Sequence, residues 1–293
     1  MNPLVTIAIP IYNASSYLAD SILSCINQTF QDWELLLMED GSTDDSLQIA
    51  QHFAHADARI KLITDGENKG LIYRLNQSVS LAQGLYYARM DADDVMVATR
   101  LEKQVDFLEH HAEVDVVGSS IMVIDGQNRI VGSGYARGKV ETFFHPTIMG
   151  RTEWFRNHPY AFWAERAEDF ELWMRTSGSS QFYAIESPLL FYREFGTPSF
   201  QKIYKTLRTL LTIFSKYREY HKSFSWFAMN SLMTYAKIAI YGCFDAVGNI
   251  DYVVKRRRRA IVPHDLCLTQ DDLASSIQIK GEEWYSIINS MKV

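Results

Sequence analysis

Tyr86-Tyr87-Ala88-Arg89-Met90-Asp91-Ala92-Asp93-Asp94 is a short, mainly apolar segment that runs directly into three carboxylates. Its first half has the composition of a buried β-strand, and the three aspartates, here called the acidic triplet, follow at the carboxyl end. Three negative charges so close together cost free energy unless a positive charge lies among them. Mg²⁺ and Mn²⁺ prefer oxygen ligands and keep positions open for phosphate, so the triplet predicts a divalent metal site. The alternative is a solvated acidic turn in which Asp94 caps the next helix.

The composition is that of a globular protein. The chain has 293 residues, of which 47% are hydrophobic and 22% charged, which is enough to bury a core. A formal net charge of −6 disfavours nucleic acid as a partner. Cys25, Cys243 and Cys267 are far apart, so they predict no zinc site and indicate a reducing compartment. Neither a secretory signal nor a convincing membrane span is recognised, and we expect a cytoplasmic protein.

Strand and helix patterns alternate along the first part of the chain. Apolar, β-branched runs predict strands at residues 5–10, 33–38, 60–63, 86–90 and 114–118, with helical patterns between the first four and before the fifth. This order predicts βαβ crossovers and a Rossmann-like, mainly parallel sheet flanked by helices. No G-x-G-x-x-G motif follows the first strand and no P-loop is present, which disfavours dinucleotide oxidoreductases and P-loop enzymes.

Polar residues follow four of these strands. Tyr12, Asp40, Asn68 and the acidic triplet each come just after a predicted strand. Ligands bind outside the carboxyl ends of parallel strands, so we expect the four segments to converge on one site. This convergence is a stronger indication of function than any single motif.

Four motifs together resemble family 2 of the glycosyltransferases. They are Ile9-Pro10-Ile11-Tyr12-Asn13, Glu39-Asp40-Gly41-Ser42-Thr43-Asp44, Asn68-Lys69-Gly70 and Asp91-Ala92-Asp93-Asp94. The resemblance covers about residues 4–198 and implies the GT-A fold of nucleotide-diphospho-sugar transferases. It also implies an inverting enzyme with Mn²⁺ or Mg²⁺, a nucleotide-diphosphate sugar donor and a glycan or lipid-linked glycan acceptor. The expected process is bacterial cell-surface glycan synthesis, of O-antigen, capsule or exopolysaccharide.

The resemblance implies roles on the donor side of the site. Pro10 would shape the floor of the nucleobase pocket, Tyr12 would stack on the base, and Asp40 would hydrogen-bond it. Asp93 would ligate the metal that bridges the diphosphate, and Asp91 would contact the ribose or act as a second ligand, directly or through water. Asp94 is expected to cap the next helix instead. The other residues assigned to donor binding are Asn13, Ser42, Asn68, Gly70 and Arg193.

Inversion requires a base on the acceptor hydroxyl. Asp169 resembles the second residue of the family's E-D motif at a helix start, and Glu168 is the second candidate for the base. A helix N-terminus stabilises carboxylate anions, so the base would be ionised at neutral pH. The alternative is an acidic first turn with Trp173 as a core residue. His145, in an H-P segment, and Trp173 are the candidates on the acceptor side.

One position departs from the family pattern. The family often carries Y-R-x-H near the end of its catalytic domain, whereas this chain has Tyr192-Arg193-Glu194-Phe195. Phe195 therefore stands at the histidine position. Arg193 can still pair with phosphate oxygens, and water or donor oxygens can complete the metal shell. We expect metal binding that is weak without nucleotide.

The composition changes after Pro198. Residues 199–260 have a local net charge of about +9, in contrast to the acidic whole. We therefore expect a GT-A catalytic domain at 1–198, with a nucleotide-binding half at 1–118 and an acceptor half at 119–198, and a helical appendage at 199–293. The run Lys255-Arg256-Arg257-Arg258-Arg259 favours peripheral contact with the inner face of the plasma membrane. The alternative is a helical appendage that packs on the catalytic domain or in a homodimer.

Two other functions stay open at this stage. Asp91-x-Asp93-x-Val95 fits the D-x-D-x-[TV] pattern of haloacid-dehalogenase-type phosphatases, but that nucleophile follows the first strand and here three βα units precede it. The other alternative is a non-catalytic scaffold that binds sugar nucleotides or glycans, which the phenylalanine at position 195 keeps open. Donor sugar, nucleobase and acceptor do not follow from the sequence.

Overall fold

A computed structural model describes residues 2–194, 196, 199–217, 223–250, 252 and 262–279. Contacts divide the chain into two compact units, the first made of Met1–His158, Gln181–Glu194 and Ala260–Val293, and the second of Pro159–Ser180 and Phe195–Arg259. The expected division at residue 198 differs in two segments. Residues 159–180 group with the helices that follow, and residues 262–279 group with the first unit. The functional halves at 1–118 and 119–198 stay a prediction.

The first unit contains one mixed sheet of ten strands. They are β1 (Val5–Ile11), β2 (Trp33–Glu39), β3 (Ile60–Ile63), β4 (Tyr86–Arg89), β5 (Val95–Met96), β6 (Val116–Ile124), β7 (Ile130–Gly134), β8 (Gly138–Lys139), β9 (Met149–Arg151) and β10 (Phe182–Arg193). The main order is β3-β2-β1-β4-β9-β6-β10-β5, with β7 on β6 and β8 on β10. The first four strands pair in parallel, as do β6 and β10, while β9 is antiparallel to β4 and β6. The predicted mainly parallel α/β sheet is confirmed.

Helices follow the strands of this unit. They are α1 (Leu18–Ile26), α2 (Ser46–Ala56), α3 (Leu71–Leu81), α4 (Arg100–His110), α5 (Thr152–Asn157) and a short helix at Gln270–Ser276. Strands β1 and β2 are buried along nearly their whole length, and their valine, isoleucine and leucine side chains form the centre of the core. Burial of each such side chain contributes roughly 1.5–3 kcal/mol. Continuous apolar runs therefore become strands covered on both faces.

A distant carboxylate holds the segment between β1 and α1. Helix α1 begins at Leu18 without a side-chain cap. The backbone N–H of Ser15 is instead bound by the carboxylate of Asp44, which holds this segment against the next loop. The first half of the glycine-rich segment at 132–138 belongs to β7, which pairs with β6.

The carboxy-terminal segment completes the edge of the first unit. Leu273 is buried against Val95, Ile124 and Phe191 of the sheet. The side-chain amide of Asn27 donates hydrogen bonds to the carbonyl oxygens of residues 276 and 278, at 3.0 and 2.8 Å. These contacts explain why residues 262–279 belong to the first unit and not to a helical appendage.

The second unit contains α6 (Glu168–Thr176), α7 (Phe200–Tyr217) and α8 (Phe224–Ala246). Glu171 of α6 is fully buried and accepts hydrogen bonds from Arg175 Nε, at 2.9 Å, and from the Tyr217 hydroxyl. The rings of Phe170, Phe214 and Trp226 are in successive edge contacts that connect the three helices. No helix among the described residues is both long and apolar enough to cross a membrane.

A buried arginine supports the strand that leads into the acidic triplet. Arg100 of α4 is fully buried, and its Nη2 donates to the carbonyl oxygens of Arg89, at 2.9 Å, and Ile148, at 3.2 Å. Its Nε donates to Gln104 Oε1 at 3.0 Å, and Gln104 donates in turn to the carbonyl oxygen of Thr147 at 2.8 Å. Burial lowers the pKa of Arg100 to about 10, so the side chain stays charged at neutral pH.

Replacement of Arg100 by leucine is expected to lower the free energy of unfolding by about 3 kcal/mol, because two buried carbonyl groups lose their donor. Lys103→Leu, on the exposed face of the same helix, is the matched control and should change stability by less than about 0.5 kcal/mol. Urea unfolding measures both. Equal effects of the two substitutions would show that the arginine does not support the strand.

Candidate active site

The loops after β1 and β2 are joined by side-chain hydrogen bonds. Ser42 Oγ accepts from the Asn13 N–H at 3.1 Å, and Asn13 Oδ1 accepts from the Thr43 N–H at 2.8 Å. Asn13 has a φ of 51°, in the left-handed region that asparagine tolerates. Tyr12 lies beside this junction with 53% of its surface exposed, and Pro10 lies two residues earlier in β1. The loop therefore presents an aromatic ring to solvent on a fixed backbone.

Asp40 directly follows β2, and its buried carboxylate binds the loop of residues 64–70 that precedes α3. Its carboxylate accepts hydrogen bonds from the N–H groups of Lys69, at 2.8 Å, and Gly70, at 3.0 Å, and from Arg74 Nε, at 2.9 Å. Asn68 is exposed near the end of this loop, three residues before α3. Asp40 thus fixes the backbone at the start of α3. Its contact with a nucleobase stays a prediction.

The role of Glu39, the last residue of β2, was not predicted from the sequence. It is buried, and its carboxylate accepts hydrogen bonds from the N–H groups of Gly41 and Ser42 and from the Thr64 hydroxyl. Burial opposes ionisation, but these hydrogen bonds outweigh it and hold the pKa of Glu39 below its ordinary value. Gly41 has a φ of +69°, and a Cβ there would lie 2.8 Å from the Asn68 nitrogen. Glycine is therefore required where the two loops meet.

The acidic triplet lies in the turn between β4 and β5. Each of Asp91, Asp93 and Asp94 offers one carboxylate oxygen within 4.8 Å of the others. Arg89 Nη2 pairs with Asp91 Oδ1 at 2.6 Å. Burial and the charge of Asp91 raise the pKa of Asp93 to about 6. The three side chains therefore carry more negative charge than their surroundings neutralise.

Asp94 is the most buried member of the triplet. Its Oδ1 accepts a hydrogen bond from the backbone N–H of Arg193 at 2.8 Å. Its buried Oδ2 has no hydrogen-bond partner within the part of the chain that the structure describes. Burial, followed by the charges of Asp91 and Asp93, raises the pKa of Asp94 well above its ordinary value. An orphaned carboxylate oxygen among hard oxygen donors fits a divalent cation such as Mn²⁺ or Mg²⁺.

The expected capping role of Asp94 is wrong. Strand β5 separates this residue from α4, which begins at Arg100 after Thr99 at its N-cap. Asp94 is held against β10 instead, because that strand pairs with β5 at this point.

Arg193 connects the backbone of the triplet to the turn between β6 and β7. Its side chain is buried, Nε donates to the carbonyl oxygen of Asp93 at 2.6 Å, and Nη1 donates to the carbonyl oxygen of Asp125 at 3.0 Å and to Asn128 Oδ1 at 2.5 Å. The guanidinium lies over the ring of Tyr17 at 4.3 Å. These contacts give Arg193 a structural role, and its pairing with phosphate stays a prediction. Phe195, at the position of the family's histidine, lies outside the described residues.

The candidate bases lie at the start of α6, in the second unit. Glu168 is the first residue of this helix and is buried, and Asp169 is the second and partly buried. Asp169 Oδ1 accepts a hydrogen bond from the Phe170 N–H at 2.7 Å. Trp173 is only 1% exposed, which favours a core role over contact with an acceptor. The predicted position of the E-D motif at a helix start agrees with the structure, and its role as base stays a prediction.

His145 lies in the first unit. It opens a one-turn 3₁₀ helix, His145–Thr147, directly before β9. Burial, and then the positive charge of Arg89, lower the pKa of His145 well below its ordinary value. The imidazole is therefore neutral at physiological pH. The acidic triplet and the loops of Tyr12 and Asp40 belong to this same unit, whereas Asp169 does not.

A comparison with known protein families identifies the first part of the chain. The sequence model for glycosyl transferase family 2 matches residues 6–172, which is more than half of the chain. The chain belongs to glycosyl transferase family 2. The match covers both the acidic triplet and the three βα units before it, which removes the support for a haloacid-dehalogenase-type phosphatase.

Two curated relatives come from Bacillus subtilis (strain 168). EpsE, named as a glycosyltransferase, is 42% identical over 184 residues, which are 59% of this chain and 66% of EpsE. TuaG, named as a glycosyltransferase of teichuronic acid biosynthesis, is 36% identical over 125 residues, which are 42% of this chain and 50% of TuaG. The chain thus spans just under two thirds of EpsE and half of TuaG.

The fold of this family 2 chain is similar to that of a solved transferase. It matches the mannosyltransferase PcManGT from Pyrobaculum calidifontis, in complex with GDP-Man and Mn²⁺, with a TM-score of 0.59 and 16% identity. The match covers 94% of this chain and 86% of PcManGT. The likeness confirms the predicted fold class.

Because the pKa of Asp93 is raised, replacing its carboxylate by a neutral side chain should stabilise the folded protein, and this stabilisation should depend on pH. Without metal, the ionised side chain is unfavourable in the folded protein above pH about 6, whereas in the unfolded chain it ionises near its ordinary value of 3.8. Asp93→Asn should therefore raise the free energy of unfolding by about 1–3 kcal/mol at pH about 7.5. The gain should shrink as the pH falls through 6 and vanish near pH 4.

Urea unfolding in EDTA across this pH range measures the effect. Asp106→Asn, on the exposed face of α4, is the matched control and should show no such pH-dependent gain, because its carboxylate is solvated. If Asp93→Asn were no more stable than the parent protein at neutral pH, the proposed charge repulsion within the triplet would be absent.

Proposed function

We propose that the protein is an inverting glycosyltransferase that moves a sugar from a nucleotide-diphosphate donor to an acceptor hydroxyl. The observation that carries this proposal is the acidic triplet, with the orphaned oxygen of Asp94, in the same unit as the loops of Tyr12 and Asp40. Family membership supports the reaction class. The name of TuaG supports the synthesis of a bacterial surface glycan as the process.

On the donor side, the chain's own residues would bind and orient the nucleotide. The half-exposed ring of Tyr12 would stack on the base above a backbone fixed by Asn13 and Ser42. Asp40 and Gly70 would shape the base pocket through the hydrogen bonds that fix its backbone. GDP-Man in PcManGT supports a nucleotide-sugar donor for this chain, with the nucleobase left open.

Asp93 and Asp91 would hold Mn²⁺ or Mg²⁺, and Asp94 would supply further negative charge from its buried position. When bound, the metal would act as a Lewis acid that stabilises the departing nucleoside diphosphate. The Mn²⁺ of PcManGT supports this assignment. Arg89 and Arg193 would keep the carboxylates and the backbone of the triplet in position through their existing contacts.

On the acceptor side, Asp169 would take the proton from the acceptor hydroxyl, with Glu168 as the second candidate. The hydroxyl oxygen would then form a bond to the anomeric carbon as the bond from that carbon to the diphosphate oxygen breaks. Attack from the face opposite the leaving group inverts the configuration. Both carboxylates lie in the first turn of α6, where the helix dipole favours their ionised forms.

Asp93→Ala and Asp169→Asn should separate the two halves of this reaction. Asp93→Ala should abolish most of the Mn²⁺-dependent thermal stabilisation by nucleotide sugars, because the metal loses a ligand. Asp169→Asn should keep that stabilisation and reduce kcat by at least about 100-fold, because the acceptor loses its base. Thermal shift across a panel of UDP- and GDP-sugars, followed by product analysis with the stabilising donor, measures both.

Asp106→Asn is the control for both assays and should leave donor binding and turnover unchanged, because its side chain is exposed on α4. Full turnover by Asp169→Asn would remove Asp169 from the role of base. Donor binding by the parent protein without transfer to any acceptor would favour the non-catalytic scaffold.

We also propose that the protein acts in the cytoplasm at the inner face of the plasma membrane. Helices α7 and α8 support this location, because α7 carries four cationic and no acidic side chains and α8 exposes apolar ones such as Phe224, Leu232 and Tyr235. The run Lys255-Arg256-Arg257-Arg258-Arg259, from which this contact was predicted, lies outside the described residues. A homodimer is the competing proposal for the same helices.

The protein is expected to sediment with anionic vesicles at low ionic strength and to be released at high salt, because basic side chains near a charged surface each contribute about 1 kcal/mol that salt screens. Neutral phosphatidylcholine vesicles are the control. Absence of binding to the anionic vesicles at low salt would contradict the membrane proposal, and a dimeric mass in solution would then favour subunit contact.

A further inference from the structure

The second unit contains a cavity of about 310 Å³ that none of the donor residues lines. It lies between the start of α6 and one face each of α7 and α8. Asp169, the candidate base, is in its wall. The other walls are amphipathic, with Phe170, Leu210 and Met233 on the apolar side and Arg166 and Lys237 as cations.

The cavity is lined by one face of α8. Asn230, Met233, Thr234 and Lys237 are spaced at the intervals of three and four residues that bring side chains to the same side of a helix. Asn230 and Thr234 are already engaged, since Asn230 Nδ2 donates to the carbonyl oxygen of Trp226 and Thr234 Oγ1 donates to that of Asn230. Lys237 is the charged residue among the four that this face of α8 contributes to the cavity.

Both cations of the cavity lack a carboxylate partner. Neighbouring Lys205 forms an ion pair with Glu165 at 2.6 Å, but neither Arg166 nor Lys237 forms an ion pair in the parts of the chain that the structure describes. Arg166 Nε donates to the Thr206 hydroxyl at 3.3 Å, which turns this side chain toward α7. Two cations against the single carboxylate of Asp169 give the cavity a net positive charge.

Arg166 is held in place by an unusual backbone. Its φ of 69° is in the left-handed region, which a long side chain adopts at a cost in free energy. Ala167 and Ala164, on either side, are buried and fix the chain there. The fold therefore maintains a strained residue in the wall of the cavity.

Apolar surface continues from the cavity along α8. Met229, Met233 and Ile240 lie along one stripe of the helix, and all three are about half exposed, at 57%, 45% and 48%. Met233 is the residue that this stripe and the cavity share. A ligand that fits both parts has an anionic group next to a flexible hydrocarbon chain.

We propose that this cavity binds the phosphate end of a lipid-linked acceptor. Arg166 and Lys237 bind the phosphate oxygens, the hydrocarbon chain lies along Met233 and the stripe of α8, and the attached sugar is presented to Asp169. The ligand is an acceptor only if the proposed glycosyltransferase function is correct. Binding of the ligand to this cavity, however, does not require the donor site. The proposal names the acceptor class as an alkyl or polyprenyl phosphate that carries a glycan.

Titration calorimetry with farnesyl diphosphate tests the cavity directly. The buffer contains EDTA, so that no metal at the acidic triplet can hold a diphosphate. Arg166→Gly and Lys237→Met should each weaken binding by about tenfold or more, because each removes a charge-assisted contact to phosphate. Glycine suits the left-handed backbone at position 166, so the first substitution removes the side chain without added strain.

Three further measurements identify the part of the ligand that is recognised. Met233→Ser should weaken farnesyl diphosphate binding several-fold and leave the much weaker binding of inorganic diphosphate unchanged. Lys202→Met, an exposed lysine of α7 outside the cavity, is the matched control and should leave the affinity unchanged. Asp93→Ala should also leave it unchanged, because the donor site is not involved.

No heat of binding, equal affinity in all variants, or loss of binding in Asp93→Ala would each overturn the proposal. Binding of farnesyl diphosphate and inorganic diphosphate with equal affinity would also overturn it, because recognition of a lipid requires the hydrocarbon chain to contribute. Failure of the proposed function is a separate result, seen when no nucleotide sugar stabilises the protein although farnesyl diphosphate binds.

Discussion

Repulsion among three carboxylates at the end of β4 is the constraint on which the candidate site depends. Asp94 is buried with one oxygen unpaired, and its neighbours in the triplet oppose its ionisation. The surrounding arginines do not cancel this charge. Arg193 and Arg100 bind backbone carbonyl groups on either side of the turn, while Arg89 pairs with one aspartate. The backbone is thus held in place while the carboxylate oxygens keep their excess charge, and this combination favours a divalent cation over an unfilled site.

The two compact units divide the proposed chemistry. The first unit supplies loops at the carboxyl ends of parallel strands, where hydrogen bonds such as those of Asp40 and Glu39 fix backbone groups in place. The second supplies a carboxylate at a helix start and an amphipathic cavity around it. The helix that carries the candidate base is itself held in place, because Glu171 of α6 and Tyr217 of α7 form a buried hydrogen bond. Because hydrogen bonds already fix the backbones of these loops, little further conformational entropy is lost when substrate binds and the reacting groups are positioned.

Much of this arrangement follows from local sequence, and the remainder depends on contacts between distant residues. Continuous apolar runs predict β1 and β2 because strands buried on both faces require them, and the shared edge of parallel strands places the polar loops together. The role of Arg193 could not be predicted, since its partner Asn128 is 65 residues away and an arginine in a sequence gives no sign of burial. The glycines of β7 resemble a loop until the pairing with β6 is known. The return of the carboxy-terminal segment to Asn27, across 249 residues, has no local signal at all.

That return has a consequence for the order in which the protein is made. The apolar edge formed by Val95, Ile124 and Phe191 is complete only when Leu273 covers it. On the ribosome, the strands of this edge emerge long before their cover, and residues 195–259 of the second unit are synthesised in between. The nascent chain must therefore carry an uncovered apolar edge through the translation of about 80 residues, a period in which such surfaces aggregate or recruit chaperones. The first unit is therefore completed only after residues 195–259 of the second unit have been made, although every strand of its sheet precedes them.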